Sequence, residues 1–158
     1  MTVERLRWRR PLLIVHIAAS AGLIGTALVL VALGVSGVRG TDPRTVYPAA
    51  HLMEVWVAAP LAVIALGTGV LQATLSGWGL IRHWWITVKL ASTAGFTVVI
   101  FLVIIPRLSA VAADAVAGNA FTTAERLPLA VVPAAATALL VVNVALGVLK
   151  PSRTRVPT

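Results

Sequence analysis

His16, Lys89 and the pair His51 and Glu54 are the side chains of this sequence best equipped for chemistry. Each can bind a proton, an anion or a metal, and each stands within or beside a long apolar run. Lys89 falls in the stretch "GLIRHWWITVKLAST", about two helical turns past Arg82 and His83, with Trp84 and Trp85 between them. A full positive charge there raises the question of what answers it. Within a bilayer, ionisable side chains face a bundle interior, pair with a partner or meet a ligand. Two readings stay open for Lys89. Its long stem can snorkel to the nearer headgroups, or its ammonium can face His16, Gln72 or Asn143 inside a bundle.

The elements that must position these residues are membrane helices. The chain is 59% hydrophobic and 11% charged, with mean hydropathy +0.96, whereas soluble domains are about 45–50% apolar and about 25% charged. It reads as an all-α, polytopic membrane four-helix bundle forming one domain over residues 1–158. The spans fall at about 11–35, 48–75, 84–106 and 124–149, each meeting the roughly 20 apolar residues that a bilayer core demands. The turn-rich stretches "SGVRGTDPRTVYP", "SGWGLIRH" and "RLSAVAADAVAGNAFTTAER" separate them. The first apolar run is too long for a signal-peptide core and reads as a retained helix. Thr122 and Glu125 fit a capping box at the start of the fourth span.

The net charge of +8 belongs to the span ends rather than to a nucleic-acid surface. Arg5, Arg7, Arg9, Arg10, Arg82, Lys150, Arg153 and Arg155 collect on one side. Arg39, Arg44, Arg107 and Arg126 fall on the other, offset by Asp42, Asp114 and Glu125. The positive-inside rule then makes both termini cytoplasmic, where the arginines meet anionic lipid. Cysteine is absent, which excludes disulfides, iron–sulfur clusters and thiol catalysis.

With the spans in place, depth follows from a rise of about 1.5 Å per residue. His16, Lys89, Asn143, Thr68 and Gln72 all fall roughly 5–10 Å inside the cytoplasmic boundary by that rise. Each helix thus offers a polar residue to one layer. On the second span His51, Glu54, Ala58, Leu61, Ala65, Thr68 and Gln72 recur every three or four residues and form one stripe. It begins with a His–Glu pair placed near the outer surface. Ser92 and Thr93 share a face with Lys89, and Ser20 shares one with His16. Ala18, Gly22 and Thr26, with Ala21 and Gly25 beside them, mark a face of the first helix for close packing. Pro60 and Pro133 each leave a carbonyl without its usual donor, and such kinks serve either a cavity or packing.

For metal binding, His51 and Glu54 supply two ligands at best, since the chain has no H-x-x-x-H pair and no carboxylate cluster. His16, His83 and His51 stand at unmatched depths, which argues against bis-histidine haem and leaves single-histidine ligation open. No phosphate loop, nucleophile elbow or pair of carboxylates supports hydrolysis or phosphoryl transfer. Trp56, Trp78 and His83 read as packing and interfacial residues.

Two stretches carry a resemblance. They are "VHIAASAGLIG" (15–25) and "MEVWVAAPLAVIALGTGVLQATLSGWGLIRHWWITVKL" (53–90). The chain resembles a bacterial family of small four-helix membrane proteins of unknown function. Its members show H-x-x-x-S-x-G-W-L-G in helix one, a later proline followed by T-G, and W-G-L-[FI]-R-H-[YW]-W-x-x-V-K-L opening helix three. His16, Ser20, Gly22 and Gly25 fit the first pattern, with Leu23 in place of the tryptophan. Pro60, Thr68, Gly69, Trp78, Arg82, His83, Trp85 and Lys89 fit the rest. More distantly, the chain is similar to HemJ-type protoporphyrinogen oxidases and CopD-type copper-resistance domains. HemJ-type proteins bind haem b, and the resemblance implies that His16 and Lys89 correspond to their helix-one histidine and helix-three lysine. A bacterial inner membrane location follows from the same resemblance.

Three functions are carried forward. In the first, His16, Ser20, Thr68, Gln72, Lys89 and Asn143 hold a haem, porphyrin or quinone-like ligand, with Lys89 pairing an anionic group. In the second, the polar residues fix helix register in a homo-oligomer or a larger membrane complex, without catalysis. In the third, the stripe from Glu54 to Gln72 lines a route for protons or a small solute.

Overall fold

The computed structural model describes residues 3–75 and 84–149, with backbone alone at residues 3–7 and 9. Trp78, Arg82 and His83 lie outside the described residues, as do Lys150, Arg153, Arg155 and the side chains of Arg5, Arg7 and Arg9. Four helices form a membrane bundle: α1 (Val3–Val38), α2 (Pro43–Leu75), α3 (Trp84–Ala117) and α4 (Thr123–Leu149). Their apolar spans run to 29, 33, 34 and 27 residues, so each is long enough to cross a bilayer. Neighbouring helices run antiparallel. His16 meets α2 at Ala65 and Thr68, and Lys89 meets Gly147, near the end where α1 begins and α4 finishes, called here the terminal end. Gly37 meets Tyr47, and Gly118 meets Arg44, at the opposite, hairpin end.

The hairpin end is built by capping. Asp42 accepts the Arg44 N–H at 3.0 Å, and Pro43 follows in the first turn, where its missing N–H costs nothing. The stretch "TDP" therefore starts α2 at Pro43, five residues before the position of about 48 expected from hydrophobicity. Gly40 (φ 97°) closes α1 and Gly118 (φ 84°) closes α3, both in left-handed geometry. After α3 the Asn119 N–H bonds the Asp114 carbonyl at 3.0 Å and the Gly118 N–H bonds Ala115 at 3.1 Å, a Schellman pair. Glu125 Oε2 accepts both the Thr122 N–H and its hydroxyl at 2.8 Å, the glutamate half of the expected capping box. Arg126 reaches across to donate to the Gly37 carbonyl at 2.9 Å, satisfying one of the last acceptors of α1.

Helix α3 corrects the sequence reading most. It was expected to stop near Pro106, yet it continues to Ala117. The reason is a π turn at Ile100–Ile104, in which the Ile105 N–H bonds the Ile100 carbonyl immediately before the proline. A proline ring clashes with the carbonyl four residues back in a regular helix, and a local π adjustment re-satisfies the freed groups. Beyond it, alanine-rich sequence sustains the helix, burying Leu108, Ala112 and Ala115. The same device recurs in α2, where a π turn at Glu54–Ala58 precedes Pro60 by the same offset. Pro60 itself faces outward, so it opens no cavity.

Pro133 faces the bundle, and its effect is felt by α1. The Leu129 carbonyl that it leaves without a donor points at Gly34, where an added Cβ would overlap that oxygen and come within 2.6 Å of the Ala130 Cα. Glycine lets the backbones meet, as small residues do in membrane helix pairs. Below this contact lies the core, which includes Leu23, Ala27, Ala62, Ile100 and Leu140. The packing face of α1 thus follows Ala19, Leu23, Ala27 and Leu30. Of the small residues expected there, Gly22 touches Leu61 and Thr26 is buried, whereas Gly25 meets nothing within 4 Å.

Candidate functional site

The polar layer expected near one membrane boundary is brought together at the terminal end. His16 projects from α1 toward α2, where its Nδ1 lies 3.0 Å from both the Ala65 carbonyl and the Thr68 hydroxyl. A carbonyl oxygen can only accept, so Nδ1 carries the hydrogen and Nε2 keeps its lone pair. The Thr68 hydroxyl is itself oriented by donating to the Ile64 carbonyl at 2.6 Å, which leaves an oxygen lone pair for the imidazole. Gly69 completes the seat, because a Cβ there would stand 3.3 Å from His16 Cε1. The Ala65 carbonyl thus fixes the tautomer, and the Thr68–Gly69 pair the tilt, of a histidine on the neighbouring helix.

Around it, further cross-links define the layer. Gln72 Nε2 donates to the Leu12 carbonyl at 3.3 Å, tying α2 to α1. On the other side the Ser92 hydroxyl lies 3.0 Å from Asn143 Oδ1 and 3.0 Å from the Lys89 carbonyl, joining α3 to α4. Lys89 reaches across to α4, where a Cβ on Gly147 would fall 2.7 Å from its Nζ. The ammonium therefore rests against the backbone of α4, at a glycine one turn beyond Asn143.

Between these walls is a cavity of about 930 Å³, lined by His16, Ser20, Gln72, Lys89 and Asn143 among apolar residues of all four helices. Its origin lies in the packing of α3. The hairpin-end half of α3 lies along α2, while its terminal-end half touches α2 and barely meets α4. Five of the six expected ligand-binding residues line this space. Thr68 stands behind His16 and positions it. Sequence reasoning assigned Arg10 only to orientation, yet it also lines the cavity. The role of Gly147 was missed too, and its only sequence signal is its place four residues after Asn143.

His51 and Glu54 belong elsewhere. Glu54 was placed near the outer surface, but α2 begins at Pro43, which carries it to mid-span. There it is only 3% exposed, among the apolar residues of the core. His51 is half-buried, and its Nδ1 has no hydrogen-bond partner. Among the described residues no three histidine, aspartate or glutamate side chains gather as a metal site. The pair therefore gains no third ligand.

No family model, characterised protein or solved structure matches this chain.

Proposed function

We propose that the protein is a cofactor-binding membrane bundle, whose terminal-end cavity takes an amphiphilic, anionic ring system of the haem b or porphyrin class. The observation that carries this reading is the meeting of a fixed imidazole and an interior ammonium on one cavity. At about 930 Å³ the space is within the range of small-molecule sites, roughly 300–1,000 Å³. Its lining is mainly apolar, with a few convergent polar groups, as such sites are.

The donor set fits the group. A metal-ligating histidine characteristically donates its other ring N–H to a carbonyl, as His16 does to Ala65. His16 Nε2 would ligate the iron and Lys89 would hold a propionate through a charge-assisted bond. When bound, haem b supplies a one-electron redox centre. The chain's own part is to exclude water, to hold the imidazole in one tautomer and to neutralise the anionic edge of the ring. A quinone-like ligand would use the same polar groups through its carbonyl oxygens. By the positive-inside rule the basic span ends support a cytoplasmic side for this cavity, with anionic lipid around its mouth, and the family resemblance adds a bacterial inner membrane.

The test is a visible spectrum of detergent-purified protein, as isolated and after haem is supplied, for wild type and His16→Ala. A Soret band in wild type that is lost in the variant supports the reading. A wild-type protein that stays colourless with haem in excess refutes the haem assignment and favours the assembly role.

A further inference from the structure

A second chamber lies above the first. It measures about 30 Å³ and is bounded by residues of all four helices, with Glu54 at its wall. Glu54 is 3% exposed and makes no hydrogen bond or ion pair among the described residues. The chamber is otherwise apolar: Ala27 from α1, Ile100 and Ile104 from α3, and Pro133 and Ala136 from α4. Among the described residues, no titratable or charged group from α1, α3 or α4 lines the chamber beside the carboxyl. On its own helix the nearest is His51, one turn toward the hairpin end. Leu23 and Leu140 line both the chamber and the large cavity, and so form the wall between them.

Unpaired carboxyl groups at membrane depth are expensive, and they persist where they do something. The geometry limits what this one can do. A metal cation needs several oxygen ligands, six to eight for calcium and six for magnesium, and this chamber offers a single carboxyl group. Its volume is above the ~10–15 Å³ needed for one water, but a stable water wants two to four polar partners. A proton needs only one oxygen. Residues of both π turns line this chamber, Glu54 and Ala58 from α2 and Ile100 and Ile104 from α3, and such turns recur at functional sites.

We propose that Glu54 is a proton-binding site, served by a transient water in this chamber and reached from the large cavity through the Leu23–Leu140 wall. Loading moves one proton from hydronium to a Glu54 carboxylate oxygen and leaves water behind; unloading is the reverse. No other co-reactant is involved.

Infrared difference spectroscopy of the reconstituted full chain, recorded across a pH series in H₂O and D₂O, tests this. The expected result is a carboxylic-acid C=O band that titrates, shifts in D₂O, disappears in Glu54→Gln and survives in Glu125→Gln. Replacing Leu23 with Phe, which thickens the wall, should slow the D₂O shift of that band. Absence of such a band from wild type overturns the proposal, as does its persistence in Glu54→Gln or its failure to exchange in D₂O. Glu54→Gln is nearly isosteric, and helical circular dichroism reports whether it folds. Loss of haem binding would not change these readouts, so the two readings fail separately.

Discussion

Gly34→Ala offers a sharp test of how the bundle is held together, with Gly25→Ala as its partner measurement. At Gly34 the new methyl would overlap the Leu129 carbonyl oxygen and lie 2.6 Å from the Ala130 Cα. Both are backbone atoms of α4, so no side chain can swing aside. Carbon atoms pack comfortably at about 3.5–4.0 Å, which forces α1 and α4 apart by about 1 Å along their most extensive contact. A gap of that size forfeits about a quarter to a half of each dispersion contact, and overpacking of this kind costs about 1–3 kcal/mol. Alanine for glycine within a helix returns up to about 1 kcal/mol in water. Gly25 has nothing within 4 Å, so Gly25→Ala should show that gain alone. The two variants should therefore differ by about 1–3 kcal/mol in favour of Gly25→Ala. Reversible unfolding in mixed detergent, followed by circular dichroism, measures the difference. Equal stabilities would refute the close approach of Gly34 to the Leu129 carbonyl, and with it the account of Pro133.

Three more expectations follow from single contacts. Thr68→Val removes one of two acceptors of the His16 N–H, and haem affinity by Soret titration should fall about tenfold, the lower end for loss of a group supporting a ligand. Lys89→Met should weaken binding of free protoporphyrin but leave its dimethyl ester unaffected, since only the former presents carboxylates; fluorescence quenching reports both. Arg126→Gln removes one of two donors to the Gly37 carbonyl, which keeps the Gly40 N–H at 3.2 Å, and should cost about 1 kcal/mol in the same unfolding assay, with Arg126→Lys recovering only part because an ammonium lacks the guanidinium's fixed fork.

Much of this architecture is legible in residue types. Hydrophobic run length locates all four helices, and the Thr122–Glu125 spacing marks a real helix start. The depth argument that gathered His16, Thr68, Gln72, Lys89 and Asn143 works because those residues lie within a few turns of one boundary, where counting errors stay small. It fails for Glu54 because the start of α2 was taken from hydrophobicity, which is blind to an Asp–Pro cap. Pro106 misled for a related reason: a proline preceded by a π turn no longer ends a helix, and nothing in "IFLVI" announces that turn. The contact between Gly34 and the Leu129 carbonyl was beyond reach altogether, being a meeting of backbones that no side-chain pattern encodes.

The π turn of α3 marks the boundary between a half that is well held and one that is not. On its hairpin side the helix lies along α2; on its terminal side it rests on α2 and leaves α4 almost untouched. Mechanically that makes residues Trp84–Val99 an arm of about 24 Å pivoting near Ile100, at 1.5 Å per residue. A swing of about 5° would move its tip by about 2 Å over that length. Such a displacement changes the distance from Lys89 to α4 far more than that from Thr97, which is buried near the pivot. A small change of angle near Ile100 would therefore be magnified where the ammonium sits.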